Sequence, residues 1–139
     1  MRGFGAGCGL VAIALISMKL GTVGAQVAAP ANSAASPMFY TAKVKPVFDA
    51  NCARCHMNGN HRGALNMDTR ESMLKGGHDG TVLVPGDPDK SLLVRLMRHE
   101  GPKEDPMDMP PSKPKMTDAD IAIVAQWVKA GAVMPPATP

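Results

Sequence analysis

Residues 44 to 56 read VKPVFDANCARCH, and this stretch decides what kind of domain the chain builds. Val44, Val47 and Phe48, with Tyr40 upstream, recur at helical spacing and lead straight into two cysteines three positions apart, Cys52 and Cys55, followed at once by His56. Pro46 conflicts with a helix interior, where it costs about 3 kcal/mol, so it belongs in the first turn of a helix or the helix bends there.

Working towards the N-terminus, Arg2 precedes an apolar run from Gly3 to Met18 that Lys19 interrupts, and no acidic residue occurs before Asp49. The pattern is that of a secretory signal peptide over residues 1–25, with Val23 and Ala25 as the small residues before a cut. A retained anchor is the alternative, although the run is short for a span of roughly 20 apolar residues. Residues 26–37, QVAAPANSAASP, have the small, proline-punctuated composition of a flexible linker. The folded domain is expected over 38–134, with 135–139 as a tail.

Cleavage after residue 25 leaves 13 basic against 12 acidic residues and removes Cys8, so Cys52 and Cys55 become the only thiols. Near-neutral charge without a dense basic run argues against a nucleic-acid partner. Export argues against a persistently reduced dithiol.

Working towards the C-terminus, three more helices are expected. One starts at DTRE, with Asp68 and Glu71 at capping-box spacing, and stops at Gly76-Gly77. The next starts at GDPDKSLLVRLMRH, with Asp87 as N-cap, Pro88 at the first helical position and a stripe of Leu92, Leu93, Leu96 and Met97. The last runs from Thr117, with Asp120 three residues on, to Lys129, with Gly131 beyond it and Ile121, Val124, Ala125 and Val128 on one face. No segment alternates long enough to be a strand, so the class is all-α. Short helices joined by Gly- and Pro-rich connections give a thin core, which calls for a metal, a disulfide or a large cofactor as a staple.

Cys-x-x-Cys-His in an exported chain is the attachment signal for c-type haem, in which both thiols add to vinyl groups and the histidine ligates iron. Zinc requires four ligands, and His61, His78 and His99 form no matching pair with the cysteines. A redox-active dithiol requires a βαβ context that is absent from the pattern. A disulfide across so short a spacing closes almost no loop.

Together with VKPVFDANCARCH, the stretches GALNMDTRESMLKGG, LVPGDPDKSLLVRLMRHE and MPPSKPKMTDADIAIVAQWVKAGA give the chain, from about Tyr40 to Ala132, a resemblance to the cytochrome c domain common in planctomycetes and related bacteria. The resemblance implies a small all-α cytochrome c-like domain wrapped around one covalently attached haem c, which carries single electrons between a protein donor and a protein acceptor. No small-molecule substrate is expected, and a membrane only if the N-terminal segment is kept; the location is periplasmic or otherwise extracytoplasmic. MNGNHRG departs from the more usual polar, lysine-rich stretch after the haem histidine and places His61 there without a family role.

On this reading Cys52 and Cys55 are tethers and His56 the proximal ligand. The distal ligand is expected to be Met109 in DPMDMPPSKP, because Pro106, Pro110 and Pro111 restrict the backbone and the resembling family carries a Met-Pro-Pro ligand before its last helix. Met107 and Met116 are the alternatives; the remaining methionines read first as core filler, and His61, His78 and His99 as solvated side chains. Phe48 and Trp127 are expected near the crossing of the first and last helices. Arg62, Arg70, Lys75, Arg95 and the backbone near Asp87 could donate to haem propionates, but each reads first as an ordinary solvated group, and none is counted as a site residue. A haem peroxidase or gas sensor with a labile distal ligand is the rival from another class, with His61 as its loose acid/base candidate.

Overall fold

A computed structural model describes residue 30 and residues 33–101, 108–111 and 114–137. The expected signal segment and residues 102–107, Met107 among them, lie outside the described residues. The described elements are helical, with an isolated bridge between Gly77 and Gly80 as the extended pairing among them.

The first helix resolves the conflict at Pro46. It starts one residue before the expected domain boundary, as α1 (Pro37–Phe39), with the Ser36 hydroxyl accepting the Met38 N–H at 3.1 Å. A π turn (Tyr40–Val44) follows, then α2 (Lys45–Asn51), which places Pro46 in its first turn. Proline supplies no N–H, and the wider turn before it accommodates the ring without ending the helix. After α2, α3 (Ala53–His56) carries the end of the cysteine motif.

Two helix starts differ from expectation. α4 (Arg70–Lys75) is capped by Thr69, whose hydroxyl accepts the Ser72 N–H at 3.1 Å. Asp68 is instead used across the chain, accepting the Asn58 N–H at 2.9 Å and so fastening the loop after the cysteine motif. α5 (Leu92–Met97) begins five residues after Asp87. Asp87 does accept the Lys90 N–H at 3.1 Å, as an N-cap does, but the turn it makes closes without continuing.

What replaces the longer helix is a packed turn around Ser91, which is fully buried. Its hydroxyl accepts the Val84 N–H at 2.9 Å and can donate to the Asp87 carbonyl at 2.9 Å or the Val84 carbonyl at 3.2 Å. The last helix, α6 (Asp118–Lys129), follows expectation: the Thr117 hydroxyl accepts the Asp120 N–H at 3.1 Å, and Gly131 with φ +103° lies beyond its end.

α6 packs on the π turn and on α5, and its buried Ile121, Val124, Trp127 and Val128 complete the core. The rings of Phe48 and Trp127 meet edge-on at 5.8 Å and 83°, where the resemblance implied they would lie, and Tyr40 closes the cluster at 5.6 Å from Trp127. Trp127 Nε1–H donates to the Val133 carbonyl at 2.8 Å, so the buried indole keeps its polar atom satisfied. Carbonyls at the end of α6 are taken up from outside: Gly86 N–H donates to Val128 at 2.8 Å, and Arg70 donates from Nε to Ala132 at 2.9 Å and from Nη2 to Gly131 at 3.1 Å. A guanidinium there also complements the negative end of the helix dipole.

Two outcomes test this packing. Ser91→Ala removes the acceptor for the Val84 N–H and is expected to lower unfolding free energy by about 1–3 kcal/mol in urea titration. Tyr40, the chain's one tyrosine, is pushed up to about 12 by burial, with Asp49, Asp68 and Cys52 adding to the shift. Its folded pKa lies above the unfolded value, so the stability it contributes is complete below about pH 10 and fades as pH rises through about 12. Phenolate absorbance in the folded protein should therefore rise near pH 12 and not near pH 10.

Candidate functional site

The cysteine motif opens onto a cavity of ≈ 390 Å³, within the range of small-molecule and cofactor sites. α2 ends at Asn51, and the backbone N–H groups of Cys55 and His56 both donate to the Cys52 carbonyl at 3.0 Å. This tight turn presents Cys52, Cys55 and His56 to one cavity. The chain that returns from the loop is tied to the motif where Met67 N–H donates to the His56 carbonyl at 2.8 Å.

Apolar groups, including Leu65, Val82, Leu92, Leu93 and Leu96, form most of the remaining wall. The wall also carries Met67, Met97, Met109 and Met116. Met109 and Met116 thus line the same cavity as the cysteine motif; Met67 and Met97, read as core filler, line it as well. Met109 is half-buried, and its backbone N–H donates to the Leu96 carbonyl at 3.3 Å, which fastens the proline-bounded loop to the end of α5. Met116 is buried.

Burial lowers the pKa of His56 below the ordinary imidazole value, and the charge of Arg62 adds to this, while the carbonyls of Arg62 and Leu65 oppose it. The ring is therefore neutral at neutral pH, the form that ligates a metal. Its buried Nδ1 has no hydrogen-bond partner of good geometry among the described residues. An Nδ1–H turned towards either carbonyl leaves Nε2 as the lone-pair donor, which is how backbone acceptors orient metal-bound histidines.

Of the other histidines, His61 is exposed, 3.6 Å from Asp68, and does not line the cavity. His99 is likewise absent from the lining, with Nδ1 3.9 Å from Asp108. His78 lines the cavity but is highly exposed, 3.3 Å from Asp79. Among the described residues no group of three or more His, Cys, Asp or Glu side chains is placed to hold a metal ion, which leaves the zinc reading without its remaining ligands. The donor set that does exist is two half-buried thiols, a neutral imidazole and thioethers around an apolar hollow. It fits haem c: the thiols for the vinyl groups, nitrogen and sulfur for the iron, and apolar walls for the ring.

Fold and cavity together define an all-helical domain with the attachment chemistry of a c-type cytochrome. The sequence model of the family described as Planctomycete cytochrome C matches residues 52–113, from the first motif cysteine past the Met-Pro-Pro stretch, so this part of the chain is similar to that family, the one the sequence resembled. Comparison with curated proteins gives no match, and neither does comparison with solved structures. That similarity supports a haem c protein and a role in electron transfer.

Sequence reasoning missed the closure of the cavity rim. His78 N–H donates to the Gly63 carbonyl at 2.6 Å, which joins the segment after α4 to the loop after α3. Gly77 permits this approach, since a Cβ there would stand 2.7 Å from the Gly63 carbonyl oxygen and 3.1 Å from Leu65 Cβ. The doubled glycine after α4 was the available signal: Gly76, with φ +80°, ends the helix, and Gly77 serves the rim. Gly77→Ala should cost about 1–3 kcal/mol through overpacking, read as a lower urea midpoint at unchanged slope.

Proposed function

We propose that the chain is an exported mono-haem cytochrome c that passes single electrons between protein partners, with Cys52 and Cys55 as thioether tethers, His56 as proximal ligand and Met109 as distal ligand. The observation that carries this reading is the convergence of the cysteine motif and the Met-Pro-Pro loop on one apolar cavity.

The chain's own residues have separable tasks. α2 and its contact with Trp127 fix the direction from which Cys52, Cys55 and His56 enter the cavity. The neutral His56 imidazole offers nitrogen without first losing a proton. Thioether sulfur from Met109 is a soft donor that favours the ferrous state and raises the reduction potential. Leu65, Val82, Leu92 and Leu93 line the cavity and would keep water from a bound haem, lowering the local dielectric around it. When bound, haem supplies the one-electron couple and an edge through which outer-sphere transfer occurs.

Met109 is favoured over Met116 because its loop is fastened to Leu96 by its own backbone and is stiffened by Pro110 and Pro111, so little entropy is lost in holding the sulfur at a fixed point. His61, paired with Asp68 and outside the lining, does not serve as the acid/base group of a peroxidase. Export rests on the sequence of residues 1–25 and on the habit of the family; among the described residues no helix is long and apolar enough to cross a membrane. A chain of nearly balanced charge gives weak electrostatic steering and modest salt dependence of its transfer rates.

Protein matured with covalent haem should show, when oxidised, the near-infrared methionine-to-iron band. Met109→Ala should abolish it and lower the midpoint potential, whereas Met116→Leu should retain it. A band that survives Met109→Ala would move the distal bond to another residue.

A further inference from the structure

Among the described residues that line the cavity, Arg62 is the one Lys or Arg. It sits on the short 3-10 turn (Arg62–Ala64) directly after the cysteine motif's loop, and it is exposed at the rim. No described carboxylate forms an ion pair with it. The other cationic groups weighed from the sequence are placed elsewhere: Arg70 is spent on the Gly131 and Ala132 carbonyls, and Lys75 and Arg95 do not line the cavity.

The rim that carries Arg62 is a built one. His78 N–H holds the Gly63 carbonyl at 2.6 Å, next to Arg62 in the chain, and brings His78 and Asp79 to the same mouth. Asp79 is the one acidic residue among the described lining, and it lies 3.3 Å from the His78 ring. Haem is an amphiphile whose two carboxylates leave the ring on the side away from the two vinyl groups. In a cavity with apolar walls those carboxylates must face a polar edge, and burying either without a partner is costly.

Resting on the haem reading above, we infer that Arg62 is the propionate-binding residue of this domain, pairing through its planar guanidinium with a haem carboxylate at the cavity mouth and holding the reduction potential up. A guanidinium matches a carboxylate in a two-bond fork that the lysine ammonium does not reproduce. A fixed positive charge at the ring edge disfavours the extra positive charge of ferric haem, so its loss lowers the potential.

The test is the midpoint potential of matured holoprotein, measured by spectroelectrochemical titration for wild type, Arg62→Gln, Arg62→Lys and Lys129→Gln, the last removing an exposed charge on α6. The expected result is a downward shift for Arg62→Gln equivalent to a roughly tenfold change in the redox equilibrium, about 59 mV for one electron. Arg62→Lys should recover part of the shift, and Lys129→Gln should show almost none. Equal shifts in Arg62→Gln and Lys129→Gln, in chains that carry covalent haem, would overturn the assignment alone. Wild-type chain that acquires no covalent haem would overturn it together with the haem reading.

Discussion

The edge-on contact between Phe48 and Trp127 is the interaction on which the placement of everything else depends. α2 is the last part of a helical run over 37–51 that includes the π turn, and it ends where the cysteine motif begins. Two fully buried rings 5.8 Å apart, with Tyr40 beside them, join that helical run to α6. The end of α6 is in turn held by Arg70 from α4 and by Gly86 from the loop before α5. The direction of one aromatic pair therefore determines where two sulfurs and an imidazole emerge.

A second constraint is size. Apart from α6 and the helical run over 37–51, the described helices span six residues or fewer, and the walls around the cysteine motif are contributed by loops as much as by helices. In so small a domain the loops must be fastened individually. Asp68 holds the turn at Asn58, Ser91 holds the turn at Val84, and Leu96 holds the chain at Met109, each by a hydrogen bond that bridges segments distant in sequence. The same fastenings that order the loops bring Met109 and Arg62 to the mouth and wall of one cavity, so folding and site construction are a single process here.

How much of this could be read in the sequence follows from the range of the interactions concerned. α6 was legible because its signals are local: a threonine cap, an apolar face at helical spacing and a glycine past its end all agree. The cysteine motif was legible for the same reason, its five residues carrying their own chemistry. The starts of α4 and α5 were not, because Asp68 is recruited by Asn58 across the chain, while Asp87 caps a turn that closes locally at Ser91 before the helix begins. Pro46 announced a conflict that is resolved by a π turn before it, whose first and last residues, Tyr40 and Val44, are buried in the core. Arg70 and Ser91 look like surface residues in sequence and become structural through partners 61 or 62 and 7 residues away.

The central claim is that the cysteine motif carries covalent haem, and intact-mass spectrometry of the chain produced with haem-c maturation tests it most directly. Addition of a thiol across a vinyl group releases nothing, so the account predicts a protein heavier than the processed polypeptide by the mass of one haem, surviving denaturation and lost in Cys52→Ala/Cys55→Ala. A polypeptide that emerges from the same host at its unmodified mass would contradict the account.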